Sequence, residues 1–514
     1  MKVPTPRNSR FSFRFLVPAL WIISTLALCT VFALFATPRA DAQVVSESRR
    51  YSLIIQKAFE FIQNHYVDES DAKKLYEGAM KGMFEALGDP YTVFLSESDM
   101  TDLSDTTQGN FGGVGLYITK PTEPSKSGRP LWVEVASPIE DTPGWRAGIS
   151  PGDFIVEIDG ESTAKFTMDE VLARLRGVPG TEVTILIRRG ERLEFPVKLV
   201  RAIIEVPTVK SAMIGDDIGY LRITTFTPMT AERTQETILS FAQKGYRALI
   251  IDLRNNYGGL LDAAIDVSDY LLQGGVVVAT KSRIPQENFV HKAREKTIVP
   301  QSIPVIVLIN RGSASASEIV AGALKDRGRA YLVGEKSYGK GSVQQVIYPI
   351  DPSVKSGFKI TTSRYYTPSD VNIDKIGIPP DLEVGFPILT DAEADSLNKL
   401  ISDDLIPLFV KDNPNPSSAR LDAFIKELTN TYKLSGSLLK RLVRDEQNRT
   451  VIAPVYDLEY DIQLKAAVDL LRSDRYPELM RSVKTLKELQ TEAAIKAESE
   501  KSTGAGTLAP DSSK

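Results

Sequence analysis

The sequence predicts an α/β protein built on a mainly parallel sheet, with a β-rich domain inserted before it and helical regions at both ends. Three observations carry this. Strand and helix patterns alternate over Ile218 to Ile223, Ala231 to Lys244, Ala248 to Leu253, Leu261 to Leu272 and Val276 to Thr280. That is the βαβ rhythm of a parallel sheet with helices packed on it. The run Val305-Ile306-Val307-Leu308-Ile309-Asn310 is apolar and β-branched, as a strand buried on both faces requires. Between about Thr101 and Arg201 the pattern changes to short strands punctuated by turn signals.

The stretch Arg311 to Gln345 organises the chain. Small residues make a tight turn after the Val305 run, and Ser317-Glu318 open a helical pattern with Ile319, Ala323 and Leu324 on one side. Ser315 therefore falls between a strand end and a helix start, where unpaired N–H groups and the helix dipole favour a developing oxyanion. Ser313 and Ser317 read as turn and N-cap residues. A further strand, Ala330 to Gly334, leads to Ser337-Tyr338-Gly339-Lys340-Gly341. Glycines on both sides of Lys340 let the backbone come close and bury the amine, and burial is what brings a lysine down from its usual pKa of about 10.4 to serve as a base. The two histidines, His65 and His291, lie in no turn beside a serine. A Ser-Lys arrangement is the most plausible nucleophile and base available in this chain.

These residues carry a resemblance to the carboxyl-terminal processing (tail-specific) proteases, serine endopeptidases with a Ser-Lys dyad. The matching segments are Ser313-Ala314-Ser315-Ala316-Ser317-Glu318-Ile319, Gly339-Lys340-Gly341-Ser342-Val343-Gln344 and Leu253-Arg254-Asn255-Asn256-Tyr257-Gly258-Gly259-Leu260-Leu261. The closing segment Thr361 to Val384 also matches; Tyr257 departs, standing where the family usually has proline. The resemblance implies a ClpP/crotonase-like core. It also implies Ser315 as nucleophile, Lys340 as base, Gln344 as the residue that orients the lysine, and backbone N–H groups of Gly258 or Gly259 and of Ala316 for the oxyanion. Asp326 matches a family position too, although a helix-end carboxylate beside Arg327 explains it equally well. The glycine pair is also compatible with a plain β-to-α turn.

In the inserted block, Gly112-Gly113-Val114-Gly115-Leu116-Tyr117-Ile118, the strands Leu131 to Val135 and Phe154 to Ile158, a helix over Met168–Leu175 and a strand over Val183 to Ile187 follow the order of a permuted PDZ domain. A glycine loop before a strand can hold a terminal carboxylate through its N–H groups, and the sheet edge can take up a peptide as an added strand. Gly113, Val114, Gly115 and Leu116 are the expected substrate-binding residues. Arg176, at the end of that helix, is either a link to the protease core or a solvated arginine favoured by the helix dipole.

The remaining sequence sets the boundaries. Lys2, Arg7, Arg10 and Arg14 precede an apolar run from Phe15 to Ala36, and Ala40-Asp41-Ala42 offers a cleavage site. Residues 1–42 read as an export signal or an uncleaved membrane anchor, either of which places the body of the protein outside the cytoplasm, in a periplasmic or equivalent setting. Residues 43–100 read as a packed helical hairpin, 101–201 as the PDZ-like domain, 202–388 as the protease core, 389–500 as a helical region with helix patterns over Leu421–Thr431, Tyr460–Leu471 and Leu479–Ala497, and 501–514 as a polar, disordered tail. The net charge of −4 gives no reason to expect nucleic acid. The single cysteine, Cys29, excludes a disulfide framework, and no metal-ligand spacing or phosphate loop is present, so no cofactor is expected. The expected partners are protein substrates with accessible C-termini. An activating adaptor and a homodimer or higher oligomer are compatible with the resemblance. Two other classes share these features: an inactive peptide-binding adaptor, and a small-molecule carrier on the same fold. The intact Ser315, Lys340 and Gln344 count against both.

Overall fold

The computed structural model describes residues 40–121, 131–190, 192–349, 353–449 and 454–504. The apolar run, Cys29 and most of the polar tail lie outside the described residues. The chain divides at Gly88 into two units.

The first unit contains the helices Ala40–His65 and Ala72–Glu85, the second opened by Asp71, whose carboxylate caps the N–H groups of Lys73 and Lys74. Both helices were expected, but their apolar stripes do not bury each other. Leu53 and Ile54 are 52% and 53% exposed, and in the second helix only Phe84 is buried. The periodicity specified amphipathic helices; it could not specify an apposed surface for them.

In the second unit, the central sheet has the order Val209–Ile214, Ile218–Ile223, Ala248–Asp252, Val305–Ile309, Tyr331–Gly334, Leu382–Glu383. Its first pair is antiparallel and the rest are parallel. All residues of Ala248–Asp252 and Val305–Ile309 are buried, which explains their unbroken apolar character. Helices Thr230–Gln243, Leu261–Asp269 and Ala316–Asp326 pack over a core that includes Leu249, Ile251, Val305, Val307, Val320 and Leu324. The opposite face is covered from the C-terminal region by Leu464, Ala467, Val468 and Tyr476. A second sheet is built around the long strand Gly357–Tyr366, which pairs directly with Val93–Leu95, Ser342–Ile347 and Val276–Ser282, with Phe289–Lys292 beyond the last of these.

The PDZ-like domain is a sheet in the order Leu116–Thr119, Val133–Pro138, Phe154–Ile158, Glu182–Arg189, Leu193–Val200, with the helix Met168–Leu175 and its own core around Val135, Ile155, Val171 and Ile185. Two short strands, Asn110–Gly113 and Ala202–Glu205, pair where the chain enters and leaves it. The C-terminal region is more helical than the pattern indicated. Asp391–Ser402, Leu405–Asp412 and Gly436–Gln447 join Ser418–Tyr432, where a helix was expected over Leu421–Thr431, in a separate small core around Phe409, Leu428 and Leu439.

Candidate active site

Ser315 occupies the N-cap of helix Ala316–Asp326, directly beyond the Val305–Ile309 strand, with φ +55° and ψ −114°. A non-glycine residue in that region costs on the order of 1–3 kcal/mol and persists only where its surroundings hold it. Here they do. The Ser315 N–H donates to Glu318 Oε2 at 2.9 Å, and the Ser315 carbonyl accepts from the N–H groups of Glu318 at 2.8 Å and Ile319 at 3.0 Å. The N-cap is thus Ser315, not Ser317. The Ser317 hydroxyl instead donates to the Asn256 carbonyl at 2.8 Å, tying the serine turn to the glycine turn. Ser313 is a turn residue as expected: its hydroxyl donates to the Leu253 carbonyl and accepts the N–H of Asn310.

Glu318 joins the two loops of the site. Its buried carboxylate accepts Ser315 N–H and Lys340 N–H on Oε2, both at 2.9 Å, and Ser337 Oγ–H at 2.5 Å and Gly339 N–H at 2.7 Å on Oε1. Burial raises its pKa above the usual carboxylate value, and these donors offset only part of that rise. The geometry is that of an ionised carboxylate: all four neighbours donate, and a protonated acid would set a hydrogen against one of them. Ser337 Oγ already accepts the N–H of Ile378 at 2.6 Å, so its own proton is directed to Glu318. In the sequence Glu318 reads only as a helix opener. The Ser-x-x-Glu spacing from Ser315 is a capping-box signal that could have shown more.

Lys340 is half-buried, with its ammonium nitrogen 4.9 Å from the centre of the Tyr91 ring. Burial holds its pKa below that of an ordinary lysine, Lys359 adds to the depression, and Glu318 and Asp89 oppose it. The flanking glycines are required where they stand. A Cβ on Gly339, at φ +93°, would sit 2.8 Å from Gly377 N, and one on Gly341 would sit 2.6 Å from Asp374 N. The Tyr365 hydroxyl donates to the Lys340 carbonyl and lies 3.3 Å from the Ser315 carbonyl. Ser315 Oγ and Lys340 Nζ share no direct hydrogen bond; catalytic hydrogen bonds of this kind commonly tighten only around substrate.

The glycine turn packs against the serine. A Cβ on Gly258 would fall 2.8 Å from Ser315 Cβ and 3.0 Å from Ala316 N. The Gly258 N–H, however, is donated to Asn256 Oδ1 at 2.8 Å. Asn256 is wholly buried and also gives its amide to the Ile223 carbonyl and receives the Ala314 N–H on its own carbonyl. Among the described residues, the N–H groups of Gly259 and Ala316 have no such partner. Tyr257, the departure from the family pattern, is 79% exposed and leaves the glycines in place. Beneath the turn, Arg254 bridges buried Asp252 and the C-terminal residues Asp461 and Gln463.

Gln344 lies at a β-bulge, opposite Thr361 on the neighbouring strand, and its amide donates to Ser342 Oγ at 2.9 Å and Thr361 Oγ1 at 3.0 Å. Asp326 is structural: it accepts the N–H and hydroxyl of Ser369 and the N–H of Leu486.

In the PDZ-like domain, a cavity of about 300 Å³ opens between the edge strand Leu116–Thr119 and the helix Met168–Leu175. Val114, Gly115 and Leu116 line it with Leu172 and Arg176; Gly113 is not among its lining residues. Gly115 has φ +76°, and a Cβ there would collide with Thr142 at 2.2 Å. Arg176 stacks over Phe111 with 4.8 Å to the ring centre.

A serine held in a strained turn beside open N–H groups, with a partly desolvated lysine on the adjoining loop, defines a serine-type hydrolase. Comparison with known proteins specifies it further. Residues 217–384 match peptidase family S41, residues 134–189 a PDZ domain and residues 37–99 the N-terminal domain of activating protease CtpB. A carboxy-terminal-processing protease of Bartonella bacilliformis is 41% identical over 336 residues, 64% of this chain and 74% of that one. Carboxy-terminal processing protease CtpB of Bacillus subtilis is 33% identical over 355 residues, 68% of this chain and 71% of that one. Among solved structures, a photosystem II D1 C-terminal processing protease is 29% identical, covers 65% of this chain and 92% of its own, and superposes with a TM-score of 0.39. The chain belongs to the carboxy-terminal-processing proteases of peptidase family S41.

Proposed function

We propose that this protease cleaves protein substrates with a Ser315–Lys340 dyad and selects them by their C-terminal residues through the PDZ cavity. The observation that carries the reading is Glu318, whose one carboxylate holds both the nucleophile turn and the lysine loop. Neutral Lys340 removes the Ser315 hydroxyl proton as Oγ attacks the peptide carbonyl, and the resulting ammonium protonates the leaving amine. Ala316 N–H and the open N–H of the glycine pair, that of Gly259, receive the oxyanion; Gly258 provides the close approach. Gln344 orients the lysine.

Substrate tails add as a strand to the Leu116–Thr119 edge, with the terminal carboxylate at Val114–Leu116 and the last side chain in the cavity. The basic N-terminus and the apolar run from Phe15 to Ala36 support export across, or anchoring in, a membrane, which sets the activity outside the cytoplasm. The match to an activating-protease N-terminal domain supports protein partners beyond the substrate. The test is cleavage of an unfolded protein by the purified enzyme, compared with Ser315→Ala and Lys340→Ala. Loss of cleavage in both folded variants is expected, and turnover retained by either one discards the dyad.

A further inference from the structure

The turn that opens the second unit reaches the site from outside the peptidase motif. Asp89 Oδ2 accepts the hydroxyl protons of Thr92 and Thr361, both at 2.6 Å, and Asp89 Oδ1 accepts the N–H of Tyr91 at 3.0 Å. The Thr361 N–H returns to Thr92 Oγ1 at 3.0 Å. The turn is fixed there because Val93–Leu95 pairs with the strand bearing Thr361, in the register Val93 to Lys359. Across that strand, Thr361 faces Gln344.

The direction of these bonds follows from chemistry. An ionised carboxylate only accepts. Thr361 has one hydroxyl proton and gives it to Asp89, so towards Gln344 it can only accept. The amide nitrogen, not the oxygen, must therefore face Thr361, as found. Ser342 Oγ takes the other amide contact at 2.9 Å. Gln344 is left with its carbonyl oxygen as the group available to a further donor.

We propose that Asp89 is a positioning residue for the peptidase reaction: through Thr361 it fixes the orientation of the Gln344 amide, so that Gln344 Oε1 is presented as the acceptor for the ammonium of Lys340. The inference rests on Lys340 as the base. Hydrogen bonds from Thr361, Thr92 and Tyr91 hold Asp89 below the usual carboxylate range despite its partial burial, which keeps it an acceptor through the working pH range. Its charge also favours the protonated form of Lys340, as Glu318 does, against burial and Lys359. The Tyr91 ring lies against the same amine.

The test measures kcat, KM and the pH profile for Asp89→Asn, Thr361→Val, Thr361→Ser and Gln344→Ala in the purified protein. Asp89→Asn should lower kcat by about tenfold or more, the cost of losing one charge-assisted bond, with KM little changed. Its acid limb should move to lower pH, because the carboxylate that favoured the ammonium is gone. Thr361→Val should lose activity without moving the limb, since the charge stays, and Thr361→Ser should restore most of what valine loses. Asp89→Asn in the Gln344→Ala background should cost nothing more. Losses that multiply, a serine variant as impaired as valine, or a fully active Asp89→Asn would overturn the inference. So would a fully active Gln344→Ala, which leaves the dyad standing; an active Lys340→Ala instead removes the dyad itself.

Discussion

Arg254 grips Asp461 across 207 residues of sequence, with Nη1 to Oδ1 at 2.8 Å and Nη2 to Oδ2 at 2.6 Å. The same guanidinium binds fully buried Asp252, which also receives the Tyr220 hydroxyl. Two carboxylates and an arginine are thus satisfied together under the Asn255–Gly259 turn. The C-terminal segment that carries Asp461 and Gln463 is thereby tied into the peptidase core, whereas the helices around Phe409 and Leu428 keep a core of their own.

Removing one partner from such a cluster leaves buried charge unpaired. Asp461→Ala should therefore destabilise the protein by about 3 kcal/mol, read as a lower denaturant midpoint, with activity falling as the glycine turn loosens. Wild-type stability in this variant would show that Asp252 alone satisfies Arg254.

The proposed dyad predicts a specific pattern among lysine variants. Lys340→Arg should be inactive although its charge is kept, because arginine stays protonated at any working pH. The Ser315→Ala/Lys340→Ala double variant should be no worse than either single variant, since the two residues act as a unit. Independent, multiplying losses measured by kcat/KM would contradict a shared step.

The pH dependence follows from the groups around Lys340. A lysine base works only when neutral, so with Lys340 in the proposed role kcat/KM should rise as pH climbs through its lowered pKa. Lys359→Gln removes a like charge, raises that pKa and should move the limb to higher pH. Stability carries the same sign. The unfolded chain keeps the lysine proton to about pH 10.4, while the folded protein releases it earlier, so folding should become more favourable with pH across that interval. Lys340→Met should flatten this slope in denaturant titrations.

Glu318→Gln tests the link between the two loops. A glutamine offers one acceptor oxygen and turns an NH₂ towards donors that need an acceptor. Loss of stability of about 2 kcal/mol and of activity by at least about a hundredfold are expected. A Gln variant with normal turnover would mean that the serine turn and lysine loop hold themselves in place.

For substrate selection, Leu172→Glu places a charge in the PDZ cavity without disturbing the backbone. Substitution at Gly115 would confuse the result, because any side chain there meets Thr142. Cleavage of tailed proteins should fall about tenfold or more while short peptides, which can diffuse directly to Ser315, are cut as before. Equal effects on both substrates would place selection elsewhere.

The sequence by itself determined the central sheet and the PDZ-like block, and it singled out the pair proposed here as reactive. Buried strands such as Val305–Ile309 are written as unbroken apolar runs, and glycines at 258, 259, 339 and 341 mark places where no side chain fits. Both are local signals. The tertiary structure decided how the site is held. Glu318 reads as a helix-opening carboxylate until the fold brings Ser337, Gly339 and Lys340 to it, and Arg254 reads as a motif residue until Asp461 arrives. It also decided that Ser315, not Ser317, caps the helix, and that Leu53 and Ile54 stay exposed. Hydrogen bonds between residues far apart in sequence leave no periodicity to read, because they depend on two surfaces meeting and not on the spacing along either one.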